Sequence, residues 1–231
     1  LFVASTHSFL LLFTNKGKVH WLKVHEIPEG GRAAKGKPMV NLINVSPDTQ
    51  VSAVVQVKKF SDDEFLLFCT KDGTVKKTAL SEFSNPRKAG IIAVDLDPGD
   101  YLIGAAITDG QHDVMLFSDA GKAVRFEEDD VRPMGRTARG VRGMQLDLGQ
   151  QVIALLVAED EEQSVLTATE NGYGKRTEVK EYKTQGRGGS GIRTSAGQGE
   201  QNCHPELFWF SVKRRFAEKA YALLPRVVVD G

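Results

Sequence analysis

One hairpin is written four times along this chain, and that repetition restricts the fold more than any other feature. Leu11-Leu-Phe-Thr-Asn-Lys-Gly-Lys-Val19 recurs as Leu66-Leu-Phe-Cys-Thr-Lys-Asp-Gly-Thr-Val75 and Met115-Leu-Phe-Ser-Asp-Ala-Gly-Lys-Ala-Val124, then as Val165-Leu-Thr-Ala-Thr-Glu-Asn-Gly-Tyr-Gly-Lys175. The turn glycines are Gly17, Gly73, Gly121 and Gly172, separated by 56, 48 and 51 residues. A tight hairpin turn needs positive φ, which glycine adopts without steric cost, and Asp-Gly and Asn-Gly are strong hairpin pairs.

A basic landmark follows each turn: Gly31-Arg-Ala-Ala-Lys-Gly36, Pro86-Arg-Lys-Ala-Gly90, Gly135-Arg-Thr-Ala-Arg-Gly140 and Gly186-Arg-Gly-Gly-Ser-Gly191. Its first arginine (Arg32, Arg87, Arg136, Arg187) stands 15, 14, 15 and 15 residues after the turn glycine. Strand-like runs come next, at 39–45, 91–96 and 141–146, and then at 51–57, 101–107 and 151–157. Each unit thus offers about four short strands and no long helix. A period near 50 residues with four strands per unit predicts an all-β, propeller-like array, in which each sheet buries its faces against its neighbours. The WD and kelch signatures are missing.

Formal net charge is zero, but the charges are segregated. The windows 14–37, 71–88, 121–142 and 171–193 hold 23 of the 30 Lys and Arg and only 10 of the 30 Asp and Glu. Basic patches at regular spacing are the electrostatic footprint of a polyanion partner. The expected nucleic-acid contacts are Lys16, Lys18, Arg32, Lys35, Lys37, Lys76, Lys77, Arg87, Lys88, Arg136, Arg139, Arg142, Lys175, Arg176 and Arg187, projecting toward one rim.

Other chemistries find little support. Gly31 to Lys37 approaches a phosphate-binding loop, but Pro38 replaces the magnesium-binding hydroxyl and a strand-like run follows where a helix is needed. Gly186 to Gly191 spells G-x-G-x-x-G between polar flanks, without the strand and helix of a dinucleotide site. The five histidines fit no metal pattern; His20 and His25 read as surface or interface groups. The acidic runs 127–130 and 159–162 lack the spacing of a calcium loop and read as solvated loops. No nucleophile elbow surrounds any serine. No apolar run approaches a membrane span, and the opening residues lack a signal-peptide pattern. Cys69 and Cys203 form neither a disulfide framework nor a metal pair, which favours a reducing cytoplasm.

Several strings together resemble the C-terminal domain of DNA gyrase A: Phe2-Val-Ala-Ser-Thr-His7, Lys37-Pro-Met-Val-Asn-Leu42, Asp72-Gly-Thr-Val-Lys-Lys-Thr78, Gly140-Val-Arg-Gly143 and Thr167-Ala-Thr-Glu-Asn-Gly-Tyr-Gly-Lys-Arg-Thr177. The resemblance covers roughly residues 2–195. It implies a β-pinwheel, a propeller variant of usually six blades that wraps double-stranded DNA around a basic rim. About four repeats are expected here, over 1–199. It also implies an A2B2 complex with gyrase B and the remainder of gyrase A, a bacterial type II topoisomerase located in the cytoplasm on the chromosome. There, ATP-dependent negative supercoiling uses ATP and magnesium bound elsewhere, so no catalytic residue, metal or cofactor is expected in this stretch. The family's Gln-Arg-Arg-Gly-Gly-Lys-Gly box normally precedes the first blade strand, a place before residue 1. Gln185-Gly-Arg-Gly-Gly-Ser-Gly191 reads as its degenerate inter-blade copy. Residues 200–231 break the repeat and are expected to be an altered terminus or a short amphipathic helix near 208–224. The alternative reading is a protein-binding propeller module, whose interactions would survive high salt. An independent enzyme has the least support.

Overall fold

The computed structural model describes residues 3–30, 33–43, 45–46, 48–168 and 174–194. Strands β1 (Phe9–Thr14) and β2 (Lys18–Lys23) pair across Gly17, β4 (Phe65–Thr70) and β5 (Thr74–Ala79) across Gly73, and β8 (Asp113–Ser118) and β9 (Lys122–Glu127) across Gly121. Gly17 has φ of 72°, and a Cβ added there would stand 2.5 Å from the Val94 carbonyl oxygen, so both conformation and space demand glycine. A fourth hairpin joins β12 (Ser164–Ala168) to β13 (Gly174–Glu178). Its turn, with Gly172, lies outside the described residues, as do Arg32, Cys203 and the segment 200–231.

The third strand of each unit, β3 (Val51–Val57), β7 (Leu102–Thr108) or β11 (Val152–Ala158), pairs antiparallel with the first strand of its own hairpin. The fourth crosses over. β6 (Ile91–Ile92) pairs with β2, β10 (Val141–Arg142) with β5, and β14 (Ile192–Arg193) with β9. The second, third and fourth units therefore each lend the short strand after the basic turn to the sheet before it. Three four-stranded sheets result, in the orders β3-β1-β2-β6, β7-β4-β5-β10 and β11-β8-β9-β14.

These lent strands are shorter than the sequence predicts. After two residues the backbone leaves the ladder, and its next amides converge on the turn glycine of the receiving hairpin. Ala93 and Val94 donate to the Gly17 carbonyl at 2.8 and 3.1 Å, and Gly143 and Met144 to that of Gly73 at 2.8 and 3.2 Å. The run 39–45, expected as a strand, instead begins with a 3-10 turn, Met39–Asn41. The hairpin that precedes it, β1–β2, already receives β6, and the described residues hold no hairpin of an earlier unit. Its amides close locally, Asn41 on Pro38 and Leu42 on Met39.

Stacking makes the core, sheet against sheet. Leu11 and Phe13 of the first blade pack with Leu66, Phe68, Leu80 and Phe83 of the second. On its other face β4 turns Leu67 and Cys69 toward Val114, Leu116 and Phe126 of the third. Met115 and Phe117 then meet Val165, Val179 and Tyr182 of the fourth. Central strands buried on both faces explain why Phe65 to Cys69 is apolar without alternation. The rings of Phe13 and Phe68 meet nearly edge to face, with centroids 5.2 Å apart. Among the described residues the only helices are single 3-10 turns, four of which follow the hairpins at Val24–Glu26, Leu80–Phe83, Glu128–Asp130 and Val179–Glu181.

Candidate nucleic-acid interface

Strand exchange seats the basic turns of the second, third and fourth units against the second hairpin strand of the preceding blade. Gly90 has φ of 71°, and a Cβ there would lie 2.8 Å from the Val19 carbonyl oxygen; at Gly140, with φ of 111°, the distance to that of Val75 would be 2.5 Å. The turns therefore occupy equivalent positions on successive blades. Lys16, Lys18, Arg87 and Lys88 are exposed where the second unit's turn meets the first blade, and Arg139 and Arg142 where the third unit's turn meets the second. At the next junction Lys122 is the direct cross-strand neighbour of Arg193. Lys35, Lys37, Lys175 and Arg176 are exposed as well. Lys122 and Arg193 were not among the sequence candidates, although Lys122 follows its turn glycine as Lys18 follows Gly17.

Lys76 and Lys77 do not fit the expectation of a rim contact. Both are buried. The Lys76 ammonium donates to the Ala93 carbonyl at 2.7 Å and to the Arg136 carbonyl, so it ties the segment that leaves β6 to the basic turn of the third unit. Burial, then the neighbouring Arg136 charge, lowers its pKa to about 8. Lys77 reaches the Glu128 carbonyl at 3.2 Å and its carboxylate at 3.4 Å. Glu128, expected in a solvated acidic loop, is buried and also accepts from Thr108.

Lys77 belongs to a series. Four residues after the turn glycine, each of the first three hairpins sends a donor forward to the 3-10 turn of the next unit. Trp21 Nε1 donates to the Phe83 carbonyl at 3.0 Å, and Arg125 Nη1 donates to the Val179 and Tyr182 carbonyls at 3.0 and 3.1 Å. Arg125 is also clamped by Asp113 and Glu161, at 2.5 and 2.9 Å from Nη2. The arginines of the basic turns reach backward. Arg136 Nη1 lies 3.4 Å from the Ile92 carbonyl oxygen, with Nε 3.6 Å from Glu82. Arg187 repeats this on the Arg142 carbonyl at 2.6 Å and the Asp130 carbonyl at 3.0 Å. Part of the cationic periodicity thus fastens blade to blade. Trp21→Phe keeps the aromatic area and removes one donor; it is expected to cost about 1 kcal/mol and to lower the calorimetric Tm by roughly 2–4 °C.

Carboxylates balance exposed and half-buried cations. Lys16 pairs with Asp48, Lys122 with Asp147 at 2.8 Å, and Arg139 with Asp97 and Asp95 at 2.9 and 3.5 Å. Hydrogen bonds from Lys16, and next from Ser46, hold Asp48 at about 2. Exposed pairs of this kind contribute little to stability, and a phosphate can replace the carboxylate.

Comparison with known proteins places this geometry in a family. The profile described as "DNA gyrase C-terminal domain, beta-propeller" matches residues 8–58, 64–109, 112–159 and 163–196, one segment per repeat. DNA gyrase A of Klebsiella oxytoca is 50% identical over 192 residues, and that of Salmonella typhimurium 48% over the same length. Each match covers 83% of this chain and 22% of the relative, so the chain spans about a fifth of these relatives' length. A structure of the DNA gyrase A C-terminal domain superposes with a TM-score of 0.75 at 27% identity, covering 91% of this chain and 67% of that one. The C-terminal domain of DNA topoisomerase IV gives 0.80 at 26% identity, covering 90% and 64%. Three exchanged four-stranded sheets, a profile match in every repeat and these superpositions agree: the chain belongs to the DNA gyrase C-terminal domain, beta-propeller family.

Proposed function

We propose that this chain binds double-stranded DNA along the edge where the basic turns cross from blade to blade, and bends the duplex around that edge. The observation that carries this reading is the repeated placement of Lys16, Lys18, Arg87 and Lys88, of Arg139 and Arg142, and of Lys122 and Arg193 at equivalent blade junctions. Cations at regular intervals suit phosphates, which fix position without reading sequence. Bending 20–30 base pairs by 40–90° costs on the order of 1–6 kcal/mol, so several junctions must act together. In this reading the chain works as part of gyrase A, in an A2B2 complex with gyrase B, and supports ATP-dependent negative supercoiling on the chromosome in the cytoplasm. ATP and magnesium chemistry belongs to the rest of that complex.

Affinity for duplexes of unrelated sequence, measured against salt, tests the reading. Replacing exposed Lys18 with Ala should make the slope of log affinity against log salt shallower by about 0.9. Lys76→Met removes a cation already committed to two carbonyls. It should leave the slope unchanged yet reduce bending, read by end-to-end energy transfer, because the third unit's basic turn loses its tie to the segment after β6. Salt-independent binding would instead favour a protein-binding module.

A further inference from the structure

Position three after the turn glycine lies beneath the next unit's basic turn. Lys76 occupies it in the second blade; His20 occupies it in the first. His20 is only 5% exposed, and its imidazole presses on the turn so closely that a Cβ on Gly90 would lie 2.7 Å from Cε1 and 2.8 Å from Nε2. It lines a cleft of about 330 Å³ between the first hairpin and that turn, together with Lys16, Lys18, Ser46, Thr49 and Ala89. Ser46 and Thr49 hydrogen-bond each other at 2.7 Å, and Lys16 pairs with Asp48 beside them. Among the described residues no hydrogen bond reaches either imidazole nitrogen of His20. The charged groups around it are Lys18 on its own strand, Lys16 and Asp48 nearby, and Arg87 and Lys88 in the turn above. A pocket with two ammonium groups, two hydroxyls and an unengaged imidazole has the donors for a tetrahedral oxyanion.

We propose that this cleft is a phosphate subsite, filled by a backbone phosphate of bound DNA, in which His20 takes up a proton as the anion enters. The DNA source rests on the reading of the rim given above. Burial, followed by repulsion from Lys18, lowers the pKa of His20 in the empty cleft. An entering phosphate reverses both influences: its oxygen accepts from the imidazolium, and its charge offsets that of Lys18. By linkage, a group whose pKa rises on binding makes affinity increase as pH falls.

Histidine-resolved NMR of the full chain from pH 5 to 8.5 decides the matter, recorded free, with inorganic phosphate against chloride at matched ionic strength, and with a saturating short duplex. The expected result is a rise of about one unit in the His20 midpoint with duplex, and duplex affinity higher at pH 5.5 than at pH 8.5 by up to about tenfold through this group. His20→Gln should remove that component. Lys18→Gln, on an exposed side chain, should raise the midpoint in the empty cleft. A His20 midpoint unmoved by both inorganic phosphate and bound duplex, or an undiminished pH dependence in the Gln variant, overturns the proposal. A shift with inorganic phosphate and none with bound duplex overturns the DNA source and keeps the anion site. Should the duplex fail to bind at all, the rim reading falls, and the phosphate arm alone still rules for or against the subsite.

Discussion

Replacing Lys16, Lys18, Arg87 and Lys88 together with Ala is expected to weaken duplex binding by roughly a thousandfold near 0.1 M salt, and to make the salt slope shallower by up to about 3.6. All four lie exposed at the first blade junction, so their loss removes up to four phosphate contacts without opening a core. Lys16 also gives up its partner Asp48, but a solvent-exposed pair contributes little to stability. Losses should be similar on unrelated duplexes, because phosphate contacts carry no sequence information. Binding isotherms at four or more salt concentrations, with unfolding curves as a control, read this out. An unchanged slope would mean that these side chains do not face the duplex.

Arg125→Ala is expected to be the most damaging single change at a blade junction. Its guanidinium is 6% exposed and joins the third sheet to the 3-10 turn of the fourth unit. Truncation leaves Asp113 and two carbonyls without their donor; Glu161, largely exposed, loses less. Breaking a buried ionic cluster by removing one member costs about 3–5 kcal/mol, which corresponds to a fall of about 10 °C in Tm for a chain of this size. Arg125→Lys should recover only part of this, because an ammonium cannot fork between two carbonyls and two carboxylates. Calorimetry and urea midpoints check both variants.

The repeat, the all-β class and the hairpin turns at Gly17, Gly73 and Gly121 were legible in the sequence, because turn glycines and apolar runs are local signals. The exchange of β6, β10 and β14 was not, since nothing in Ile91-Ile92 says which hairpin will receive it. The run 39–45 looked like its counterparts and still begins with a 3-10 turn at Met39–Asn41, because a strand needs a partner and the edge of β2 is taken by β6. Charge was legible in amount and period but not in allegiance. Lys76 and Lys77 look like Lys16 and Lys18 as letters, yet two face inward to carbonyls and two face water. Glu128 shows the same for acids: an apparently solvated run supplies a buried partner for Lys77. His20 fits no metal spacing, and its neighbours in sequence give no hint of a cleft. Its place beneath Gly90 depends on a turn 70 residues away in the chain.

Ligation of nicked circular DNA in the presence of the full chain tests the wrapping claim most directly, because sealing traps any writhe the bound protein imposes. Wrapping predicts a shift in the mean linking number that grows with bound protein and disappears when Lys16, Lys18, Arg87 and Lys88 are replaced with Ala. A distribution identical to that of protein-free DNA, at concentrations where binding is saturated, would contradict it.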